Sequence, residues 1–243
     1  MGIHYLAQGT SSVAAESNPT PATSTGPGAP RLTSIVAPPL VDSQVRDQIQ
    51  RRQHVAPAVW SDLLLGKRSS LAIPEHTPKV LFPGAFNPLH SGHEQMAELA
   101  AARCGAPVTF ELSIINVDKP PLDFIELNDR LQQLAGRNVL VTRAPTFAEK
   151  APMAPGCVFV AGLDTVARIG MPEYYNHDAS LRDAALAAVA AAGCRFLVFP
   201  RLYDGKFRTL AEAELPPALR ALCDEVPESA FRADVSSTQL REV

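Results

Sequence analysis

Residues 79–105, KVLFPGAFNPLHSGHEQMAELAAARCG, read as a strand, a tight loop and a helix in direct succession. Val80, Leu81 and Phe82 form a short apolar run that stops at Pro83 and Gly84, the mark of a buried strand. After Ser91, the residues Met96, Leu99, Ala100 and Cys104 recur at helical spacing, and Gly105 is suited to end the helix. Between them lie a glycine, an aromatic, an Asn-Pro pair and two histidines, His90 and His93, three residues apart.

The same alternation continues downstream. PVTFELSII (107–115) is a second strand and LDFIELNDRLQQLAG (122–136) a second helix that closes at Gly136. NVLVTR (138–143) and CVFVAG (157–162) are further strands. DASLRDAALAAVAAAG (178–193) is an alanine-rich helix, and CRFLVFPR (194–201) is a fifth strand. Strands and helices alternating at these lengths predict an α/β fold, a parallel five-stranded sheet with helices on both faces. Right-handed crossovers then dictate most of the topology, and ligands lie beyond the carboxyl ends of the strands. The histidine loop stands at such an end.

Upstream the composition changes. From Ser11 to Pro39 the chain is rich in Ser, Thr, Pro, Ala and Gly, with Glu16 and Arg31 as its only charges. Such a stretch has little apolar surface to offset its ordering entropy and reads as linker or loop. Residues 42–66 have room for one or two short helices, with Trp60 and Leu63–Leu65 available to dock. We therefore expect an irregular N-terminal extension over residues 1–76 and one domain over residues 77–243.

Composition narrows the function. Across 243 residues, 46% are hydrophobic and 19% charged, enough apolar content for an ordinary core. A net charge of −3 and a pI of about 6.1 leave no electrostatic footprint for nucleic acid. No stretch approaches the roughly 18 apolar residues of a membrane span. The start, MGIHYLAQGT, lacks the basic and apolar regions of a secretory signal and fails the myristoylation pattern at Leu6. Cys104, Cys157, Cys194 and Cys223 are scattered with no C-x-x-C pair, which argues against a disulfide framework and a zinc site. A cytoplasmic protein is expected.

The loop has a physical reading of its own. Gly84 lets the backbone turn off the strand and approach a ligand closely. Pro88 stiffens the loop, and Gly92 leaves room at the helix start, where free N–H groups and the dipole favour an anion. His90 and His93 lie one helical turn apart, so both rings can face that anion. The competing reading is a surface pair or half a metal site, but no third ligand stands at a readable spacing.

GAFNPLHSGH resembles the G-x-F-[D/N]-P-x-H-x-G-H signature of the nucleotidylyltransferase superfamily, the cytidylyltransferase-like fold, at every defined position. ADVSSTQLREV (233–243) is similar to the I-S-S-T-x-I-R element of that family, with Val235 and Leu240 in place of isoleucines. FVAGLDT (159–165) resembles the G-x-D element of its pyridine-nucleotide adenylyltransferase branch, the nearest relatives. The similarity runs from about Lys79 to the end.

The resemblance implies a Rossmann-like, doubly wound sheet and a reaction that joins a nucleoside triphosphate to a phosphorylated acceptor with release of pyrophosphate. It implies AMP transfer from ATP to nicotinate or nicotinamide mononucleotide, a step of NAD biosynthesis, with Mg²⁺ accompanying the triphosphate and no protein side chain as metal ligand. His90 and His93 would be catalytic. Gly84, Ala85, Phe86, Gly92, Ser236, Ser237, Thr238 and Arg241 would bind nucleotide and phosphate. Ser236–Thr238 read as an N-cap and first turn, with Arg241 at i+3 and i+4 from Thr238 and Ser237. Gly162 and Asp164 are substrate contacts on the same ground, and Lys119, after the second strand at the carboxyl end where ligands bind, is a candidate phosphate contact. A helix N-cap is the competing role for Asp164, and a solvated loop position that for Lys119. Arg201 and Arg208 are further basic candidates. Family members often assemble, so a homo-oligomer is in keeping. Two other functions remain open: a CTP-dependent cytidylyltransferase acting on a phospho-alcohol, and a nucleotide-binding regulator without turnover.

Overall fold

The computed structural model describes residues 56–117, 120–203 and 206–232. Of the two units into which the chain divides, Met1–Gln50 and Arg51–Val243, all described residues belong to the second.

The opening stretch forms the expected unit. Strand β2 (Val80–Pro83) runs into the loop, and helix α2 (Ser91–Cys104) follows. Gly105 ends α2 at φ 61°, a left-handed position that costs glycine nothing. Strand β3 (Val108–Ser113) and helix α3 (Phe124–Gln133) come next, with the Asp123 side chain accepting the Glu126 N–H at 2.8 Å to cap α3. Strand β4 (Asn138–Thr142) leads through a turn to the short helix α4 (Phe147–Lys150). Strand β5 (Val158–Gly162) passes directly into α5 (Leu163–Gly170). Helix α6 (Ala179–Ala191) then precedes strand β6 (Arg195–Phe199).

These five strands lie parallel in the order β4-β3-β2-β5-β6. The sheet has seven strands rather than five. Strand β1 (Ser70–Ile73), within the residues read as irregular extension, pairs antiparallel with β4 at one edge. At the other edge β9 (Cys223–Glu225) pairs parallel with β6. Helix α1 (Ala58–Leu64) precedes β1 and buries Trp60 and Leu63. A separate ribbon, β7 (Arg201–Tyr203) with β8 (Lys206–Arg208), and helix α7 (Pro217–Arg220) complete the strands and α-helices among the described residues.

Successive strand residues point to opposite faces. Val80, Phe82, Phe110, Leu112, Val139 and Val141 meet Met96, Ala100, Leu127, Trp60 and Leu63 on one side. Leu81, Leu140, Phe159, Phe196 and Val198 meet Val166, Leu186, Val189 and Leu219 on the other. Helices α2 and α3 thus cover one face and α5 and α6 the other: the sheet is doubly wound. The chain leaves β2 toward β3 and leaves β5 toward β6, in opposite directions, which opens a crevice between the carboxyl ends of β2 and β5. Among the described residues no helix is long and apolar enough to cross a membrane.

Candidate active site

The loop after β2 is held from beneath. The Gly84 N–H donates to the Glu111 carbonyl at 3.0 Å, extending the pairing with β3 by one bond. The Phe86 ring folds back over Gly84, so closely that a Cβ on Gly84 would lie 2.6 Å from Cζ of that ring. Phe86 itself has φ 44°, a conformation that L side chains rarely adopt, yet it is 1% exposed. Its ring sits edge-on to Phe82, Phe110 and His93, with centroids 5.1–5.3 Å away. Burial of this aromatic offsets the strained backbone. Helix α3 grips the loop from outside. Arg130 Nη1 donates to the Ala85 carbonyl at 3.3 Å, and Gln133 Oε1 accepts the Leu89 N–H at 2.8 Å.

His90 is the N-cap residue of α2, in extended conformation, and its backbone N–H donates to His93 Nδ1 at 3.3 Å. That bond occupies the Nδ1 lone pair, so neutral His93 carries its proton on Nε2 and presents a donor there. The two rings stack at 3.7 Å with planes 25° apart. Both ring nitrogens of His90 are buried and have no hydrogen-bond partner among the described residues.

Electrostatics keep the pair uncharged. Burial, then His90 and Arg201, lower the His93 pKa to about 3. Burial and Arg201 lower that of His90 as well. In the unfolded chain His93 titrates at its ordinary 6.5, so unfolding takes up a proton between pH 6.5 and about 3. The contribution of neutral His93 to stability is complete above pH 6.5 and is lost as pH falls through about 3. The Tm of the ligand-free protein should decline over that window, and His93→Asn should flatten the decline. Parallel Tm–pH curves for parent and variant would count against this titration.

Pro83, Gly84, His93, Gly162, Asp164 and Arg201 line a cleft of about 140 Å³ between β2 and β5. Gly162 is the N-cap of α5, and Asp164 lies within the first helical turn, so the N-cap role does not fall to Asp164. Its carboxylate instead accepts from Arg201 Nε at 3.4 Å. A Cβ on Gly162 would stand 2.5 Å from Asp164 Oδ1, so glycine there allows the pair to form over the strand end.

Two larger spaces adjoin the cleft. One, of about 500 Å³, shares Asp164 and Arg201 and adds Arg168 and Arg208. The other, of about 210 Å³, shares Phe147 and Thr165 and is walled by Tyr174, Tyr175, Ile169 and Leu186. A further space of about 330 Å³, on the α3 side of the loop, is lined by Ala85, Asn87, Asn116 and Arg130.

The fold thus brings Gly84, His93, Gly162, Asp164 and Arg201 into one cleft, with His90 stacked on its edge. Gly92 is buried in the first turn of α2. Phe86 places its ring in the core, and Ala85 is exposed. Lys119, Ser236, Ser237, Thr238 and Arg241 lie outside the described residues. Sequence reasoning missed Arg130 and Gln133, whose contacts join distant segments, and Phe147, Arg168, Tyr174 and Tyr175. The Tyr174-Tyr175 pair, following so soon after G-x-D, was the one readable signal.

The donor set in the cleft is cationic or neutral: a guanidinium, imidazole rings and a helix N-terminus. It suits phosphate oxygens. The carboxylate of Asp164 is engaged by Arg201, so a Mg²⁺ compatible with these residues would ride on the ligand's own phosphates.

The model of the cytidylyltransferase-like family matches residues 81–243. The chain is also similar to a probable nicotinate-nucleotide adenylyltransferase from Gloeobacter violaceus. The two are 29% identical over 182 residues, which cover 67% of this chain and 81% of that protein.

Proposed function

The chain belongs to the cytidylyltransferase-like family, and from that premise we propose that it transfers AMP from ATP to nicotinate or nicotinamide mononucleotide, releasing pyrophosphate. Family membership and the Gloeobacter relative support nucleotidyl transfer as the reaction class. The observation that carries the reading is the His90–His93 stack: neutral rings at a helix N-terminus, with buried nitrogens and Arg201 across the cleft.

A phosphate oxygen of the acceptor attacks the α-phosphorus, the bond from that phosphorus to the bridging oxygen breaks, and pyrophosphate leaves. No covalent enzyme intermediate is required, so positioning and charge stabilisation supply the rate. Nε2–H of His93 donates to the α-phosphate oxygens as negative charge gathers there, and His90 offers a second donor. Each such donor contributes about 3–4 kcal/mol in the transition state.

The 500 Å³ space carries Arg201, Arg168 and Arg208 alongside Asp164, Glu212 and Glu214, so the individual guanidiniums, and not a net positive charge, would contact the β- and γ-phosphates. Ser236–Thr238 and Arg241 are assigned to those phosphates from the sequence element, and Lys119 to the acceptor phosphate. Mg²⁺, carried on the triphosphate, would screen its charge. The 210 Å³ space, with Tyr174, Tyr175 and Phe147 around it, suits a flat aromatic ring on the acceptor.

The test is pyrophosphate release with Mg²⁺ over ATP, CTP, GTP and UTP against both pyridine mononucleotides, phosphopantetheine, glycerol phosphate and phosphocholine. Turnover with ATP and a pyridine mononucleotide is expected. Turnover with CTP and a phospho-alcohol would replace this reading, and tight ATP binding with no product would make the chain a regulator.

A further inference from the structure

Beneath the acceptor cavity lies an ion pair that the reaction does not use. Glu111, on β3, is 1% exposed, and Lys150, the last residue of α4, is 4% exposed. Lys150 Nζ lies 3.5 Å from Glu111 Oε2 and donates to the Ala144 carbonyl. Thr142 Oγ1 donates to Glu111 Oε1 at 2.5 Å and accepts the Ala144 N–H at 3.2 Å. Ser113 Oγ lies 3.0 Å from the Ala144 carbonyl and 2.5 Å from the Ile115 carbonyl, and its single proton serves one of the two. The network therefore ties both backbone groups of Ala144, and the end of α4, to the carboxyl halves of β3 and β4.

Stability does not account for it. Taking two charges out of water costs about as much as their attraction returns, and apolar side chains of similar volume often serve as well or better. What apolar residues would not do is hold one backbone carbonyl and one helix end in register. The segment so held, Pro145–Ala148, is a wall of the 210 Å³ cavity, and Phe147 faces both that cavity and the histidine cleft. Its ring stands edge-on to Phe159 and Phe196, with centroids 5.1 and 5.2 Å away, and Lys150 Nζ lies 6.0 Å from its centroid.

We infer that Lys150 and Glu111 are positioning residues, which set acceptor affinity by locking the turn before α4 and the Phe147 wall. The inference rests on the reading that the acceptor ring enters this cavity. It separates two kinds of effect. A displaced wall acts chiefly on acceptor binding: of the histidine cleft it touches the Phe147 side alone, while the phosphate-facing side on β2, β5 and Arg201 keeps its place.

The test compares the full-length protein with its Lys150→Met/Glu111→Gln variant, which removes both charges together and strands neither. Acceptor KM should rise about tenfold, with ATP KM and kcat within about twofold of the parent. Tm should stay within a few degrees, because no buried charge is left without its partner. An unchanged acceptor KM overturns the proposal. So does a joint decline of Tm, both KM values and kcat, which would make the pair purely structural. Should the double variant fail to fold, Thr142→Val loosens the same network isosterically, and an acceptor KM equal to the parent's there overturns it too. The unaltered chain is the control for the reading beneath: its failure to turn over any pyridine mononucleotide fails that reading and the proposal together. Turnover by the parent with indifferent variants fails the proposal alone.

Discussion

His93→Ala should lower kcat for pyrophosphate release by about 10²–10³-fold while ATP affinity stays near that of the parent. The asymmetry follows from what the ring does. His93 Nδ1 is committed to the His90 N–H at 3.3 Å, which leaves Nε2–H as the donor presented to the cleft. A donor aimed at charge that develops on the α-phosphate acts on the transition state more than on bound ATP, so the loss appears in kcat and not in the dissociation constant. The structural cost is separate and smaller. Alanine removes the acceptor that caps α2, worth about 1 kcal/mol, and the edge contacts with Phe82 and Phe86. Neither loss unfolds a domain with two apolar layers. Steady-state kinetics beside an ATP titration reads both quantities, and a kcat close to the parent's would remove His93 from the chemistry. His93→Asn serves as the companion, since its amide oxygen retains an acceptor for the His90 N–H while the imidazole is gone.

What the sequence showed of this fold is what local chemistry specifies. Strands β2 to β6 announced themselves as apolar runs, and α2, α3 and α6 as segments with glycine just beyond their ends. Strand β9, Cys223–Glu225, has two acidic residues among three and no apolar rhythm; it is a strand because the exposed edge of β6 recruits it. Strand β1 is similar: SLAI is too short to be distinguished from a loop, and its pairing with β4 joins segments some seventy residues apart. The site divides in the same way. The histidine loop was legible because all its parts are contiguous, and G-x-D because glycine and aspartate act within one turn. Arg130 and Gln133 looked like ordinary polar residues on a helix face, since nothing near them in sequence says that the loop from Ala85 to Leu89 lies against them. Lys150 carries the sharpest form of this lesson. In sequence it closes an exposed-looking FAEK turn, and only the partner on β3 makes a buried lysine affordable. Asp164 shows the converse: its residue type favours capping, but the cap position falls on Gly162 and the carboxylate turns to Arg201.

Arg201→Ala should weaken ATP binding by about 10–100-fold, the loss of a hydrogen bond to a charged ligand of about 1.5–3 kcal/mol. Arg201 belongs both to the histidine cleft and to the 500 Å³ space, so phosphates running from one to the other pass beside it. Lysine should restore only part of the affinity, because a point charge does not reproduce the planar fork. Arg201 is also among the causes that hold both histidine pKa values down, so its removal should move the acid limb of the pH–rate profile upward. The fold should tolerate the change, since Arg201 and Asp164 are each partly exposed and such pairs contribute at most about 1 kcal/mol. Asp164→Asn is the decisive comparison. It keeps the guanidinium and withdraws the carboxylate that competes with phosphate for it, so ATP should bind as tightly as before or more tightly. If Asp164→Asn instead loses as much ATP affinity as Arg201→Ala, the order of dependence reverses. Arg201 would then serve to hold Asp164 for the nucleotide, and the carboxylate, not the guanidinium, would be the contact that ATP requires.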